Sequence, residues 1–475
     1  MMTNKDLLTR MRNGEHLTTP EQISLVLRLS LPAILAQIST IIMQYIDASM
    51  VGSMGPSASA AIGIVSTTTW LIGGLCGAIG TGFTVGIAHR IGGGRDKEAR
   101  SYVQTGLITV ITFASILMLI AILIHNHLPV WMGGAEDVIK DASRYFLVYG
   151  LTLPIMQVNY TGAGMLECSG NMKTPSILNI VMCFLDVVFN SIFIFPSRNI
   201  DIFGMNVFVP GFGLGVLGAA IGTMCAEIVG ALCILISIFK FSDKLHFRKN
   251  ETGILARADW WEALKMSFPV MLSSAIMGSA YVLSTRIVSP LGNVSITANS
   301  FSITAESLCY MPGYGISHAA TTLVGQAKGA GRNYLSRRFA YLSIAIGMVI
   351  MAGAGVLLYI FAPEMIAIMS PDQGVRDLGT RILRIEAFAE PMFGASIVAE
   401  GVFRGLGKTG TPSILNLLSM WCVRLPLSAL AAINYGLVGV WYVMCIELCF
   451  RGLIFIIAIL RTFRKEVEKK DIEKI

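Results

Sequence analysis

Charged side chains are scarce. Asp, Glu, Lys and Arg make up 14% of the 475 residues against 54% apolar, and the mean hydropathy is +0.67. A water-soluble chain of this length needs a charged shell that these residues do not supply. The nine cysteines sit almost entirely inside apolar stretches, as Cys76, Cys225, Cys233 and Cys445 do, and read as small buried residues with no disulfide framework. His89, His125, His127 and His318 form no cluster with Ser or Asp of the kind a membrane acyltransferase needs. His125-Asn126-His127 is a lone pair at a helix end, and no metal site is expected there. Nucleotide motifs are missing as well. Gly407-Lys408-Thr409 lacks the first glycine of a phosphate loop, since position 402 is Val, and Gly211-x-Gly213-x-Gly215 has no expected strand before it. These gaps argue against an enzyme and against a cofactor. With no ATP-binding domain, any pumping uses an ion gradient. The N-terminal stretch MMTNKDLLTRMRNGEHLTTPEQ has no short apolar core with a small-residue cleavage site, so no signal peptide is expected.

Long apolar runs are abundant. Residues 107–124 and 342–362 can each cross a hydrocarbon layer roughly 30 Å thick at about 1.5 Å per residue. Twelve spans are expected, near 23–53, 58–88, 101–125, 138–166, 174–196, 215–241, 260–290, 294–325, 336–362, 377–404, 411–434 and 436–461. The loops between them alternate in charge. One side carries Lys5, Arg10 and Arg12, then Arg90, Arg95, Lys97 and Arg100, then Lys240, Lys244, Arg248 and Lys249, then Lys328, Arg332, Arg337 and Arg338, and finally Arg461, Arg464 and Lys465. The opposite loops hold almost no Lys or Arg. The basic side is therefore expected in the cytoplasm, with both termini, in the cell inner (plasma) membrane. That accounts for the net charge of +7 without a nucleic acid.

The second half repeats the first. Pro32 and Pro269, Arg95 and Arg332, and Pro175 and Pro412 close matching motifs, each pair 237 positions apart. Later the spacing falls to 220, at Glu227 and Glu447, because the first half has a longer loop, PSRNIDIFGMNVFVPGFGLG. Six spans per half is an even number, so both halves keep one orientation. The expected fold is all-α integral membrane, twelve transmembrane helices in two six-helix bundles related by a pseudo-twofold along the membrane normal. The expected parts are a cytoplasmic segment at 1–22, bundles at 23–241 and 260–461, a cytoplasmic linker at 242–259 and a tail at 462–475.

Ionisable residues inside such helices cost roughly 2.5–3.5 kcal/mol each on insertion scales and need a reason. Asp47 and Asp186 are the clearest in the first half, with no Lys or Arg placed at their depth. Gln44 shares a helix face with Asp47, Asn179 and Asn190 share one with Asp186, and Asn159 joins this polar set. The set is the expected cation or substrate site, with Asp47 carrying the coupling and sodium an alternative to a proton at Asp47 and Asp186. The blander alternative is a pair of structural carboxylates satisfied by Asn, Tyr and backbone groups. The second half offers Glu306, Glu386 and Glu390 as candidates, where Arg286 and Arg424 could instead form structural ion pairs. Glu227 and Glu447, at matching places, suggest a shared packing role.

The chain resembles the multidrug and toxic-compound extrusion (MATE) family over residues 20–462. The resemblance is carried by LPAILAQISTIIMQYIDASMVGSMGPSASAAIG, by the paired turns GMLECSGNMKTP and GVFRGLGKTGTP, and by VRLPLSALAAINYGLVGVW. It implies two V-arranged bundles that alternate access and export organic cations against sodium or protons. Three departures stand out. The helix-seven Glu of members with a second-bundle cation site falls here near Met277, and no acid lies between Glu262 and Glu306. The Asn-x-x-x-Asp of helix five reads Asp186-x-x-x-Asn190, an exchange that leaves one acid and one amide on the same face. The Arg of the first paired turn is Glu167. The expected function is thus a monomeric secondary antiporter for small organic compounds within the lipid bilayer. The alternatives are a lipid-linked sugar flippase of the wider superfamily and, of another class, a membrane-embedded acyltransferase.

Overall fold

The computed structural model describes residues 4–202, 205–246 and 256–472, which are mostly helix. In chain order the helices begin with α1 (Asn4–Asn13), α2 (Thr19–Gly52), α3 (Pro56–Ile79), α4 (Thr81–Gly92) and α5 (Asp96–Ile124). A single turn, α6 (Leu128–Trp131), precedes α7 (Glu136–Cys168) and α8 (Lys173–Ile194). An antiparallel hairpin, β1 (Pro196–Ile202) and β2 (Met205–Phe212), leads to α9 (Val216–Ile236). The second half holds α10 (Arg257–Val288), α11 (Asn293–Gly329), α12 (Asn333–Met369), α13 (Gln373–Glu386), α14 (Glu390–Gly405), α15 (Gly410–Leu417) and α16 (Leu425–Ile472).

Among the described residues, eight stretches are long and apolar enough to cross a membrane: Thr19–Gly52, Ser57–Gly92, Asp96–Ile124, Lys173–Ile194, Val216–Phe241, Arg257–Leu291, Asn333–Met369 and Gly410–Lys465. The chain is a multi-pass membrane protein. Each stretch falls on an expected span, and the last covers two, divided at Gly436, whose φ of 61° lies outside helical values. The other three expected spans fall on α7, α11 and the α13–α14 pair, which carry more polar residues.

Two segments differ from expectation. The N-terminal segment, for which no helix was expected, contains α1, whose Leu7, Leu8 and Met11 are buried. The long loop of the first half is the β1–β2 hairpin, so a strand does precede Gly213 and Gly215. Its alternation, Ile-Asp-Ile and Asn-Val-Phe-Val around Gly204, is a period-two pattern short enough to be lost beside the apolar helices. The hairpin is antiparallel, so the glycines still do not form a dinucleotide turn. Arg248 and Lys249 of the basic loops lie outside the described residues.

The chain forms two compact units. One comprises Ser39–Ile87 and Asp96–Leu264. Within it α7 packs against α3, α5 and α9, and α8 packs against α9. Part of its core is Ala61, Val65, Ala121, Val138, Ala142 and Phe146. The other unit comprises Met1–Ile38, Ala88–Arg95 and Lys265–Ile475. There α14 packs against α11, α12 and α16, the pattern of α7 repeated, around Ala305, Leu358, Ile382, Leu383 and Trp441. Turn geometry repeats too. Gly94 and Gly331 take φ of 71° and 72°, at the same place in each half, where a side chain other than glycine's would be strained.

Inside this second unit, two glycines report a local two-fold. A Cβ on Gly92 would lie 2.1 Å from the Gln326 carbonyl oxygen, and one on Gly329 would lie 2.0 Å from that of His89. Gly92 and Gly329 are 237 positions apart, as are His89 and Gln326. The contact is therefore reciprocal, as an isologous contact must be. The same region is tied by His89, whose Nε2 is 2.7 Å from the Gly405 carbonyl oxygen. Arg12 donates to Gln326 at 3.3 Å, bringing the last turn of α1 onto α11. At the start of α2, Glu21 accepts from the Thr18 amide at 2.8 Å and from its hydroxyl at 3.0 Å, which closes the helix end.

Candidate functional site

The first-half carboxylates meet within one unit. Asp186 and Asn190 are one turn apart on α8, each 1% exposed, and Asp47 of α2 is half-buried. The Asn190 amide donates to Asp47 Oδ1 and to Asp186 Oδ2, both at 2.9 Å. One amide thus bridges two acids, and the carboxyls lie within hydrogen-bonding reach of each other. Asp186 Oδ1 and Asn190 Oδ1 are buried with no hydrogen-bond partner among the described residues. No Lys or Arg forms an ion pair with either acid among them. The approach of α9 depends on Gly222, where a Cβ would lie 2.1 Å from Asn190 Oδ1. Two acids bridged by one amide, two orphaned oxygens and no ion-paired Lys or Arg among the described residues leave room for one positive charge. A proton shared by the acids would fill that role, as would an ion that takes hard oxygen ligands.

The other expected members are placed differently. Asn179 donates to the Thr40 hydroxyl at 2.9 Å, joining α8 to α2 nearer the opposite end of the same faces. Gln44 is exposed. Asn159 of α7 donates to Glu227 of α9, at 2.5 Å to Oε2 and 2.9 Å to the backbone oxygen. Thr223 of α9 lies beside Asp186, and Tyr145 of α7 lies within electrostatic reach of both acids. Sequence reasoning missed these two because a lone Thr or Tyr in an apolar helix carries no pattern. His125 turns back onto the Ile122 carbonyl at 2.6 Å, and His127 stacks on Trp131.

The second-half acids lie in the other unit. Glu306, Glu386 and Glu390 are 6%, 0% and 1% exposed, on α11, the end of α13 and the start of α14. None of them forms an ion pair among the described residues. Among the described residues, all four carboxylate oxygens of Glu386 and Glu390 lack a nitrogen or oxygen donor. The Cys309 thiol, a weak donor, lies against Glu390. Arg286 is exposed, and Arg424 approaches Glu447 instead, at 3.8 Å. Structural ion pairing among these three Glu is therefore not what the structure shows. Glu447 itself is held by Arg451, at 2.8 Å and 2.9 Å, and by the Ser419 hydroxyl. The matching acids of the two halves are thus satisfied by different chemistry, an amide for Glu227 and a guanidinium for Glu447.

With this geometry in hand, likeness to known proteins decides the lineage. The MatE family model matches twice, over residues 32–192 and again over 269–430. This chain belongs to the MatE family. The two matches begin 237 positions apart, the spacing of the internal repeat. MatE relatives include a probable multidrug resistance protein NorM of Thermotoga maritima, 26% identical over 443 residues and covering 91% of each chain. A probable NorM of Pseudomonas aeruginosa is 25% identical over 89% of this chain and 86% of its own. Among solved structures, an outward-facing multidrug resistance MATE family transporter superposes with a TM-score of 0.86 at 20% identity, over 98% of this chain and 99% of that one. The Vibrio cholerae MATE transporter VcmN gives 0.85 at 19% identity, over 97% and 98%. At these identities the structures speak for the fold.

Proposed function

We propose that this chain is a secondary active antiporter that exports organic cations in exchange for protons or sodium by alternating access. In this reading its twelve membrane helices form two six-helix bundles, with both termini in the cytoplasm. The observation that carries the proposal is the Asp47–Asn190–Asp186 bridge, two acids joined by one amide with no basic partner among the described residues. A buried pair of this kind holds one positive charge at a time, and a coupling ion and a cationic substrate compete for it. Exchange follows once each occupant favours a different state by its differential affinity. Membership of a family whose relatives carry multidrug resistance names supports the choice of substrate class.

The test is efflux of a cationic dye from proteoliposomes under an imposed pH gradient and then a sodium gradient. Wild type should respond to one of them, and Asp47→Asn should respond to neither while still inserting and folding. A second reading places coupling in the second half, and the donorless carboxylates of Glu386 and Glu390 favour it. It prevails if Asp47→Asn exports at the wild-type rate while Glu306→Gln or Glu390→Gln abolishes export.

A further inference from the structure

The start of each half is folded onto a helix of the opposite half. In one unit, the Tyr102 hydroxyl of α5 donates to the Asp259 carbonyl oxygen of α10 at 3.3 Å, and the Trp260 indole N–H donates to the Thr109 hydroxyl at 3.0 Å. In the other, Arg338 of α12 donates to Thr19 of α2 at 2.8 Å and to Gln22 at 3.4 Å. Asp259 and Gln22 are 237 positions apart, so α10 and α2 repeat one arrangement. Ahead of α2 lies α1, which fastens that start further. Its Leu7, Leu8 and Met11 are at most 3% exposed, and Arg12 donates to Gln326 of α11 at 3.3 Å. The Arg332 guanidinium lies over Gly14, where a Cβ would sit 1.5 Å from Nη2 and where φ is 88°. Arg10 pairs with Glu15 at 2.9 Å and with Glu21 at 2.7 Å, closing α1 onto the start of α2. Gln326 has two duties. Its side chain takes the Arg12 bond, while its carbonyl oxygen faces Gly92 in the reciprocal contact of α4 with α11. Helix α1 therefore rests on a residue through which the two halves touch.

We propose that α1 is a latch for the cytoplasmic face, holding the state in which the end of α4 is closed on α11. Helix α2 runs on from α1 and belongs to the other unit beyond Ile38. A motion that parts the halves at this end draws on the stretch that α1 fastens, and the bonds to Gln326 and Arg332 are given up. Contacts made in one state alone shift the population toward that state. The latch thus sets how often the cytoplasmic side opens without touching ion or substrate. The inference rests on the reading that access alternates, with these helix ends in the cytoplasm.

Amide hydrogen exchange of the purified full chain tests it, since exchange reports local opening. Met11→Asp puts a charge beneath α1 and dislodges it. Exchange over residues 88–95 and 325–332 should then speed at least fivefold, with residues 140–165 of α7 unchanged. Unchanged exchange at the first two segments, or an equal rise in α7, overturns the latch. If Met11→Asp does not fold, Arg12→Ala takes its place, with at least a twofold rise expected and the same two outcomes against it. A second arm holds the latch shut. Arg12→Cys/Gln326→Cys, with the exposed Cys422 changed to Ser, is joined by a short cleavable bifunctional thiol reagent. Dye efflux from proteoliposomes should fall at least tenfold on joining and return on cleavage, and efflux indifferent to joining overturns the proposal. A wild-type chain that exports no dye overturns the antiport reading, while hydrogen exchange still decides the latch.

Discussion

The two halves of this chain bury acids in opposite ways. In the first, Asp47 and Asp186 share one amide donor, and Glu227 has another in Asn159. In the second, Glu386 and Glu390 have no nitrogen or oxygen donor among the described residues, while Glu447 takes a complete guanidinium. Offset by 237, Glu306 and Glu386 correspond to Thr69 and Tyr149, which are joined by a 2.8 Å bond from the Tyr149 hydroxyl to the Thr69 carbonyl oxygen. The same pair of backbone positions is a neutral tie in one half and two carboxylates in the other. A duplicated scaffold therefore conserves turns and helix contacts without conserving charge, and charge is where the halves can divide labour.

The largest expected effect breaks that comparison at the amide-bridged pair. Asp47→Asn should reduce gradient-driven efflux at least tenfold, with Asp186→Asn milder, both read as dye efflux from proteoliposomes. Equal loss in the two would mean that the pair acts as one site with no leading member. Next comes Glu447→Gln, which strands the buried Arg451 guanidinium and should lower stability by about 3–5 kcal/mol, seen as a fall in thermal unfolding temperature. Gly329→Ala and Gly92→Ala each force a methyl group onto a backbone carbonyl across the reciprocal contact. Each should cost about 1–3 kcal/mol, and by similar amounts, in the same unfolding measurement. The smallest effect sharpens the contrast with Glu447. Glu227→Gln removes no ion pair and can still accept from Asn159, so it should cost about 1 kcal/mol.

Much of this was legible in the sequence because it is written in long patterns. Apolar runs marked the spans, and matching motifs 237 apart marked the repeat that the family model also meets twice. The family itself was readable from the helix-one stretch and the paired turns. Asp47, Asp186 and Asn190 could be proposed together because helical spacing puts the last two on one face, and the structure brings all three into contact. The bond from Asn159 to Glu227 was not readable, since it joins residues 68 positions apart on α7 and α9. Nor was Arg424's approach to Glu447. Sequence gives an arginine's depth along a helix but not which neighbouring acid its long side chain reaches. The hairpin was missed because its alternation is brief beside the helices, and α1 because its buried face is only three residues, Leu7, Leu8 and Met11.

The division of the chain has a consequence for biogenesis. Helices α2 and α4 each change units part-way, after Ile38 and after Ile87. Met1–Ile38 leaves the ribosome before Lys265–Ile475, yet the unit they belong to is completed only when the latter has been made. Leu25, Val26 and Leu29, which are at most 1% exposed in the finished protein, belong to that late-completed unit. Ile34 waits in the same way for the backbone of Gly315 to close on it. The nascent first half is thus left with an unsealed seam that only its own second half can close. A gene split in the linker should give a first half that is degraded when made alone and rescued when the second half is made in the same cell.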